Sequence, residues 1–214
     1  ECVWAEGFDP SSTVYLSMEK KQGYAEEYEL HKLGTRTNDR EDYELLSDAE
    51  YANFREVAAT GLGSGVLFRS SSPIDPDLNR NKEADALIAE NNIRTILNMT
   101  NSEETMKAYP GFDETNYSKC EIIALNMEMD FFSDEFRAKL ADGFRFMASH
   151  EGPYLIHCKE GKDRTGFVCL LLEALCGASY EEIVADYMIT YDNYYGITQE
   201  TDAARYDVIV EHVL

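Results

Sequence analysis

Residues 153–177 read PYLIHCKEGKDRTGFVCLLLEALCG. The first five residues form an apolar run typical of a buried strand, and a polar loop follows directly. Apolar residues return from about Arg164 to Cys176, and Gly177 is the residue type that commonly ends a helix. The stretch therefore predicts a strand, a loop and a helix in immediate succession.

The rest of the chain from residue 66 repeats this alternation of strands and helices. Ser133 is a candidate cap for a helix with apolar residues on one face, and helical spacing also marks 81–91 and 181–191. Short apolar runs predict further strands at 66–68, 93–99 and 121–125. This pattern predicts an α/β fold with a central, mostly parallel sheet flanked by helices. Ligands of such sheets bind at the carboxyl ends of strands, which is where 157–166 falls.

The first 60 residues differ from the remainder and predict an N-terminal extension, with the main domain at 61–214. Short β-prone runs at 13–18 and 24–30 flank a polar turn, which is a hairpin-like signal, so the extension is predicted to be partly β. A polar stretch of little periodicity follows at 31–48. Glycines at 61, 63 and 65 indicate a turn that joins the two parts.

Composition excludes several classes of protein. The 41 acidic and 19 basic residues give a formal charge of −22, which opposes binding to nucleic acid or anionic lipid. The longest apolar run, Phe167 to Leu172, is far short of the roughly 20 residues that span a bilayer. We therefore predict no nucleic-acid partner and no integral membrane segment.

The cysteines and histidines indicate neither a disulfide framework nor a metal. The five cysteines form no C-x-x-C pair, and Cys169 and Cys176 are predicted to be small buried hydrophobic residues of a helix. The four histidines show no ligand spacing, so no metal or other cofactor is predicted. They are His31, His150, His157 and His212.

The loop between the predicted strand and helix has the residues that phosphate chemistry needs. A helix N-terminus directs backbone N–H groups and a partial positive charge at the loop. Gly161 lets the backbone curl tightly, and Arg164 offers a planar fork that matches two phosphate oxygens. Cys158 lies at the base of the loop, where this positive field favours the nucleophilic thiolate. The arrangement predicts phosphoryl transfer through a cysteinyl-phosphate.

The pattern His157-Cys158-x-x-Gly161-x-x-Arg164-Thr165 resembles the phosphate-binding loop of the protein tyrosine phosphatase superfamily. The run GKDRTG at 161–166 is more narrowly similar to bacterial tyrosine and atypical lipid phosphatases. The similarity extends loosely over 60–195, with 68–70 and 93–98 placed as that group has its early strands, whereas residues 1–55 match nothing in it. The resemblance implies a phosphatase-like fold and a phosphatase domain at 61–214.

The resemblance also implies a role for each residue of the loop. Cys158 attacks phosphorus, and Arg164 grips the phosphate and stabilises the transition state. Thr165 aids the thiolate as leaving group, and His157 orients the loop. A histidine that packs in the core with its hydrogen bonds satisfied is an equally open and compatible interpretation of His157. The residues predicted to surround the phosphate are Lys159, Glu160, Gly161, Lys162, Thr165 and Gly166.

Two aspartates are candidates for the general acid that protonates the leaving oxygen. Most members of the superfamily supply an Asp from a loop roughly thirty residues before the cysteine, where Asp130 stands here without the Trp-Pro-Asp motif. The narrower group has an Asp just before the arginine, matched by Asp163. Both remain open at this stage.

Lys159 and Lys162 bear on the substrate. Two ammonium groups beside a phosphate pocket suit a substrate with more than one phosphate, such as a phosphoinositide or inositol phosphate. Glu160 and the net charge of −22 oppose docking on an anionic membrane. A soluble headgroup and a phosphotyrosine both remain open as substrates. A separate alternative is that the two lysines are simply exposed on the rim of the loop.

Two other functions remain open, a non-catalytic phosphate-binding module and a cysteine-loop enzyme of the rhodanese or reductase type. The complete set of Cys158, Arg164 and Thr165 speaks against the first. The lack of a neighbouring resolving thiol speaks against the second. A reduced Cys158 favours the cytoplasm, whereas the absence of an initiator Met and the acidic, Tyr-rich composition favour an exported bacterial protein.

Overall fold

The computed structural model describes residues 36–213, which belong to one compact unit. The hairpin predicted at 13–30 lies outside the described residues. Within them, five strands form one sheet in the order β1-β2-β5-β3-β4. The strands are β1 (Arg55–Glu56), β2 (Leu67–Ser70), β3 (Thr95–Asn98), β4 (Glu121–Ala124) and β5 (Tyr154–His157).

Only the edge strand β1 runs antiparallel, so the predicted mostly parallel sheet is confirmed. β5 lies at the centre and pairs with β2 on one side and β3 on the other, with His157 opposite both Ser70 and Asn98. The carboxyl ends of three parallel strands therefore meet at one edge of the sheet.

Seven α-helices flank the sheet in the described part of the chain. They are α1 (Asp48–Tyr51), α2 (Asn81–Glu90), α3 (Glu103–Lys107), α4 (Asp134–Ser149), α5 (Asp163–Cys176), α6 (Tyr180–Tyr195) and α7 (Ala203–Val213). The cap predicted at Ser133 is confirmed, since its side chain accepts a hydrogen bond from the Phe136 amide. Gly177 ends α5 in the left-handed conformation, as predicted.

Alternating side chains of the strands enter two separate cores. Phe68, Ile96 and Leu155 pack on one face of the sheet with residues of α2 and α3. Their neighbours on the strands, among them Leu97 and Ile156, pack on the other face with residues of α4 and α5. Because successive side chains alternate between the two faces, the central strands β2, β3 and β5 bury apolar residues on both sides of the sheet.

Two details differ from the sequence-based predictions. Cys169 is fully buried as predicted, but Cys176, also predicted to be buried, is exposed in the last turn of α5. The residues at 48–56, counted with the predicted extension, supply α1 and β1 to the fold. The domain boundary at residue 60 stays a prediction. None of the helices described at 36–213 is long and apolar enough to cross a membrane.

Candidate active site

The predicted loop lies between the central strand and the N-terminus of a long helix. β5 ends at His157, residues 158–162 form the loop, and α5 begins at Asp163. Cys158 is only 3% exposed and contacts the core on the α5 side. The sequence order thus puts the thiol at the base of a loop that faces a helix N-terminus.

Three successive carbonyl oxygens of this loop accept hydrogen bonds from outside it. They belong to Lys159, Glu160 and Gly161. The donors are the Ser72 amide (3.0 Å), the Tyr194 hydroxyl (2.8 Å), Nδ2 of Asn53 (3.2 and 3.3 Å) and Nη2 of Arg69 (2.9 Å). In a planar trans peptide the next N–H points opposite to the carbonyl. The amides of residues 160–162 therefore point away from these donors, as an anion-binding cradle requires.

Gly161 makes this curl possible. Its φ is +69°, and a Cβ at this position would lie 2.3 Å from the carbonyl oxygen of Ser70. Any other residue would carry both the strain of the left-handed conformation and a collision with the backbone at the end of β2. The glycine predicted from the sequence is thus required by the approach of two chain segments.

A buried ion-pair network fixes the arginine that holds Gly161. Arg69 of β2 pairs with Asp186 of α6, and Nε of Arg55 lies 2.9 Å from the same carboxylate. Burial alone would raise the pKa of Asp186, but the two guanidinium groups lower it, so that the carboxylate stays ionised. The network joins β1, β2 and α6 beneath the loop.

Arg164 and Thr165 lie in the first turn of α5. Nη1 of Arg164 donates to the carbonyl oxygen of Met127 at 2.7 Å, which fixes the direction of the guanidinium. Thr165 is fully buried, and its hydroxyl has no hydrogen-bond partner among the described residues. Gly166 allows α5 to approach Tyr187, since a Cβ there would lie 2.5 Å from its ring.

His157 lies at the end of β5, directly before the loop, and its imidazole is neutral. It is fully buried, and its Nε2 lies 2.9 Å from the hydroxyl of Tyr117. Burial lowers the pKa of His157 to about 4. The imidazole thus serves as an uncharged, fixed support at the end of β5.

The two candidate acids lie in different surroundings. Asp163 is half-buried at the start of α5, and burial raises its pKa. Asp130 is exposed, and it lines a different cavity from Asp163. A raised pKa suits a carboxylic acid that must hold a proton near neutral pH.

Both lysines of the loop are paired with carboxylates of the protein. Nζ of Lys159 donates to Asp77 at 2.7 Å and lies 3.7 Å from Asp75. Nζ of Lys162 lies 3.1 Å from Glu160 and 3.9 Å from Asp163. Burial alone would lower the pKa of Lys162, but Asp163 and Glu160 raise it. These two lysines therefore offer little unpaired positive charge to a second phosphate.

An apolar cavity of about 390 Å³ lies beside Asp163. The ring of Phe131 stacks on that of Phe167 with centroids 4.8 Å apart. The other residues that line the cavity are Met129, Phe132, Leu170 and Tyr187. A planar aromatic group matches such a lining.

The family assignment follows from a comparison with models of protein families. The model of the tyrosine phosphatase family matches residues 47–212, most of the chain. The chain belongs to the tyrosine phosphatase family. The resemblance seen in the loop is thereby confirmed, and with it the phosphatase-like α/β fold.

A comparison with individual proteins gives a match over a shorter part of the chain. A Cupriavidus necator protein provisionally named as a tyrosine-protein phosphatase is 40% identical over 68 residues, 28% of this chain. The match spans only 25% of that relative's length.

Two solved structures match this chain with TM-scores below 0.5. The catalytic core of the PP-IP phosphatase SIW14 of S. cerevisiae has 19% identity and a TM-score of 0.45, covering 76% of this chain and 85% of that one. TpbA of P. aeruginosa in complex with pTyr has 16% identity and a TM-score of 0.43, covering 78% and 90%.

The structure brings the predicted residues 157–166 together in one loop and helix start, and leaves Asp130 exposed. Sequence reasoning missed the groups that hold the loop from outside. These are Asn53, Arg69, Ser72, Asp186 and Tyr194. The one signal was a charged residue in an otherwise apolar strand, at Arg69.

Proposed function

We propose that the protein is a cysteine-dependent phosphatase that hydrolyses phosphate monoesters through a cysteinyl-phosphate intermediate. The observation that carries this proposal is the orientation of the loop. Its carbonyl oxygens at 159–161 are bonded outward, which leaves the following amides to face an anion above Cys158. The N-terminus of α5 adds its partial positive charge.

In the first step the phosphate dianion binds to the loop amides and to the guanidinium of Arg164. The Cys158 thiolate attacks phosphorus, the bond from phosphorus to the ester oxygen breaks, and that oxygen takes a proton from a carboxylic acid. Arg164 and the amides stabilise the charge on the equatorial oxygens. The product alcohol or phenol then leaves.

In the second step water attacks the phosphorus of the cysteinyl-phosphate. The acid, now a carboxylate, accepts the proton of this water, and the thiolate of Cys158 departs as the leaving group. The buried hydroxyl of Thr165, which has no hydrogen-bond partner within residues 36–213, would donate a hydrogen bond to the departing sulfur. Inorganic phosphate is released and the enzyme is restored.

Asp163 is our candidate for this acid. Its half-buried position at the start of α5 and its raised pKa support the role, and it borders the apolar cavity that would hold the leaving group. Asp130, exposed in another cavity, is the alternative.

The substrate class that we propose is an aryl phosphate, and phosphotyrosine in particular. Lys159 and Lys162 are both engaged by carboxylates, which weakens the case for a second phosphate. The cavity beside Asp163 is lined by aromatic and aliphatic side chains that fit a phenyl ring better than a polyol.

The test is phosphate release from a panel of substrates: a phosphotyrosine peptide, a phosphoserine peptide, an inositol polyphosphate and a phosphoinositide. Cys158→Ser should abolish release, whereas Cys176→Ser, at an exposed cysteine, should leave it unchanged. We expect the phosphotyrosine peptide to rank first. Preference for the inositol compounds would contradict the substrate class, and no release from any compound would contradict the enzyme.

A further inference from the structure

A carboxylate stands in the middle of the loop that is proposed to bind phosphate. Glu160 lies two residues after Cys158, and its two oxygens face different cations. Oε1 lies 3.0 Å from Nη2 of Arg36, and Oε2 lies 3.1 Å from Nζ of Lys162. Burial alone would raise the pKa of Glu160, but Lys162 and Arg36 lower it, so that it remains ionised.

Arg36 reaches this carboxylate from outside the part of the chain that matches the family, which begins at residue 47. Its guanidinium lies 4.3 Å from the ring centroid of Tyr194 and 5.6 Å from that of Tyr195, and its Nη1 donates to the Tyr195 hydroxyl at 3.2 Å. Its side chain is only 10% exposed. Such burial and stacking hold the charge in a fixed position.

The same contacts reach the backbone of the loop. The hydroxyl of Tyr194, on whose ring Arg36 stacks, donates to the carbonyl oxygen of Glu160 at 2.8 Å. Arg36 therefore acts on Glu160 twice, through the carboxylate and through the tyrosine that orients its peptide.

The balance of charge shows what Arg36 does there. Without it, the single ammonium of Lys162 would have to balance the Glu160 carboxylate alone. With Asp163 protonated as the proposed acid, no net positive charge would then remain among these side chains, and Glu160 would repel the dianion that must bind. With Arg36 in place, Arg36, Lys162 and Glu160 together carry one net positive charge.

We propose that Arg36 is a positioning residue that neutralises Glu160 and so keeps the loop, with Lys162, able to bind phosphate. The inference rests on the proposed function in one respect, namely that the loop binds a phosphate group. It gives the segment before the family match a part in the affinity for substrate.

The test is a double-mutant cycle on Arg36 and Glu160, with KM and kcat for an aryl phosphate as one readout. The affinity for inorganic phosphate, measured by calorimetry in the Cys158→Ser background, is the second readout and needs no turnover. Arg36→Gln should raise KM and weaken phosphate binding by about five- to tenfold with kcat changed less than about twofold, because the uncompensated Glu160 carboxylate would repel the phosphate equally in the bound substrate and in the transition state. Arg36→Lys, which keeps the positive charge, should retain most of the wild-type affinity for phosphate.

The cycle and a matched control separate charge from packing. In the Glu160→Gln background, the further change Arg36→Gln should alter phosphate affinity less than about twofold, since the charge to be neutralised is gone. Arg40→Gln is the control, because Arg40 belongs to the same segment and stacks on Tyr51, with its hydrogen bonds at Tyr43, Leu46 and Asp48. It should leave both readouts unchanged.

The outcomes distinguish failure of the inference, failure of the proposed function and failure of both. Normal turnover with phosphate affinity unchanged by Arg36→Gln contradicts the inference alone, as does an equal loss in Arg40→Gln or in the Glu160→Gln background. A weakened phosphate affinity in a chain without turnover contradicts the proposed function alone. A chain that neither turns over substrate nor binds phosphate contradicts both.

Discussion

Nη2 of Arg69 lies 2.9 Å from the carbonyl oxygen of Gly161, and Arg69 is itself paired with Asp186. A strand on one side of the loop is thus joined to a helix on the other through a single buried side chain. The shape of the loop therefore depends on a buried pair of charges.

Asp186→Asn should therefore weaken both stability and activity. Removing one partner of a buried pair leaves two arginines uncompensated, which costs about 3–5 kcal/mol of the free energy of unfolding. We expect kcat/KM to fall at least tenfold at temperatures where the protein is still folded. Denaturant unfolding and steady-state kinetics measure the two effects. Asp192→Asn, at an exposed site of the same helix, is the control that should change neither.

Gly161→Ala should abolish phosphate binding. The new Cβ would carry the strain of a positive φ, a cost of at least about 1 kcal/mol, and would also collide with Ser70. Gly111→Ala separates the two causes, because Gly111 also has a positive φ but has open space around it. Calorimetry with inorganic phosphate should show lost affinity in the first variant and full affinity in the second. Retained affinity in Gly161→Ala would argue against the loop geometry.

The pH profile of kcat should identify the general acid. Burial raises the pKa of Asp163, and an acid acts only while protonated, so the rate should fall as pH rises through that pKa. Asp163→Asn should lower kcat about 10²- to 10⁴-fold and remove this basic limb. Asp130→Asn should leave kcat and the basic limb of its pH profile unchanged. The reverse pattern would assign the role to Asp130.

Stability should fall in acid because of His157. Its folded pKa, about 4, lies below the unfolded value of 6.5, so the unfolded chain binds a proton that the folded chain does not. The contribution of His157 to the free energy of unfolding is therefore at its full value above pH 6.5, and protonation of the unfolded chain lowers it by up to about 3 kcal/mol as the pH falls towards 4. Denaturant unfolding against pH should show a shallower decline in His157→Gln than in His150→Gln. An NMR titration in which the His157 ring is protonated near pH 6 would contradict the expectation.

The sheet and the loop could be predicted from sequence because their signals are local. The mostly apolar run at 153–157 predicts a strand buried on both faces of a sheet, so the polar residues that follow it are expected at the end of that strand. Gly161 and Arg164 are required by the chemistry of the loop itself. Each of these inferences uses residues that are close to one another in sequence, within 153–164.

The supports of the loop could not be predicted because their partners are far apart in sequence. Asn53 bonds to a carbonyl 108 positions later, and Arg69 pairs with a carboxylate 117 positions later. Arg36 stands in a stretch whose lack of periodicity gave no signal. Hydrophobic patterning reports which face a residue occupies, but not which polar groups the fold brings opposite it.

The order of the strands has a consequence for the synthesis of this chain. β5, the last strand made, occupies the centre between β2 and β3, so the nascent chain on the ribosome has a gap in its sheet until residues 154–157 emerge. Such late, non-local pairing slows folding and leaves strand edges open in the meantime. Cys158 is the next residue to follow. The proposed nucleophile therefore emerges only as the chain becomes able to close the sheet, and a translation product that ends before residue 158 lacks it.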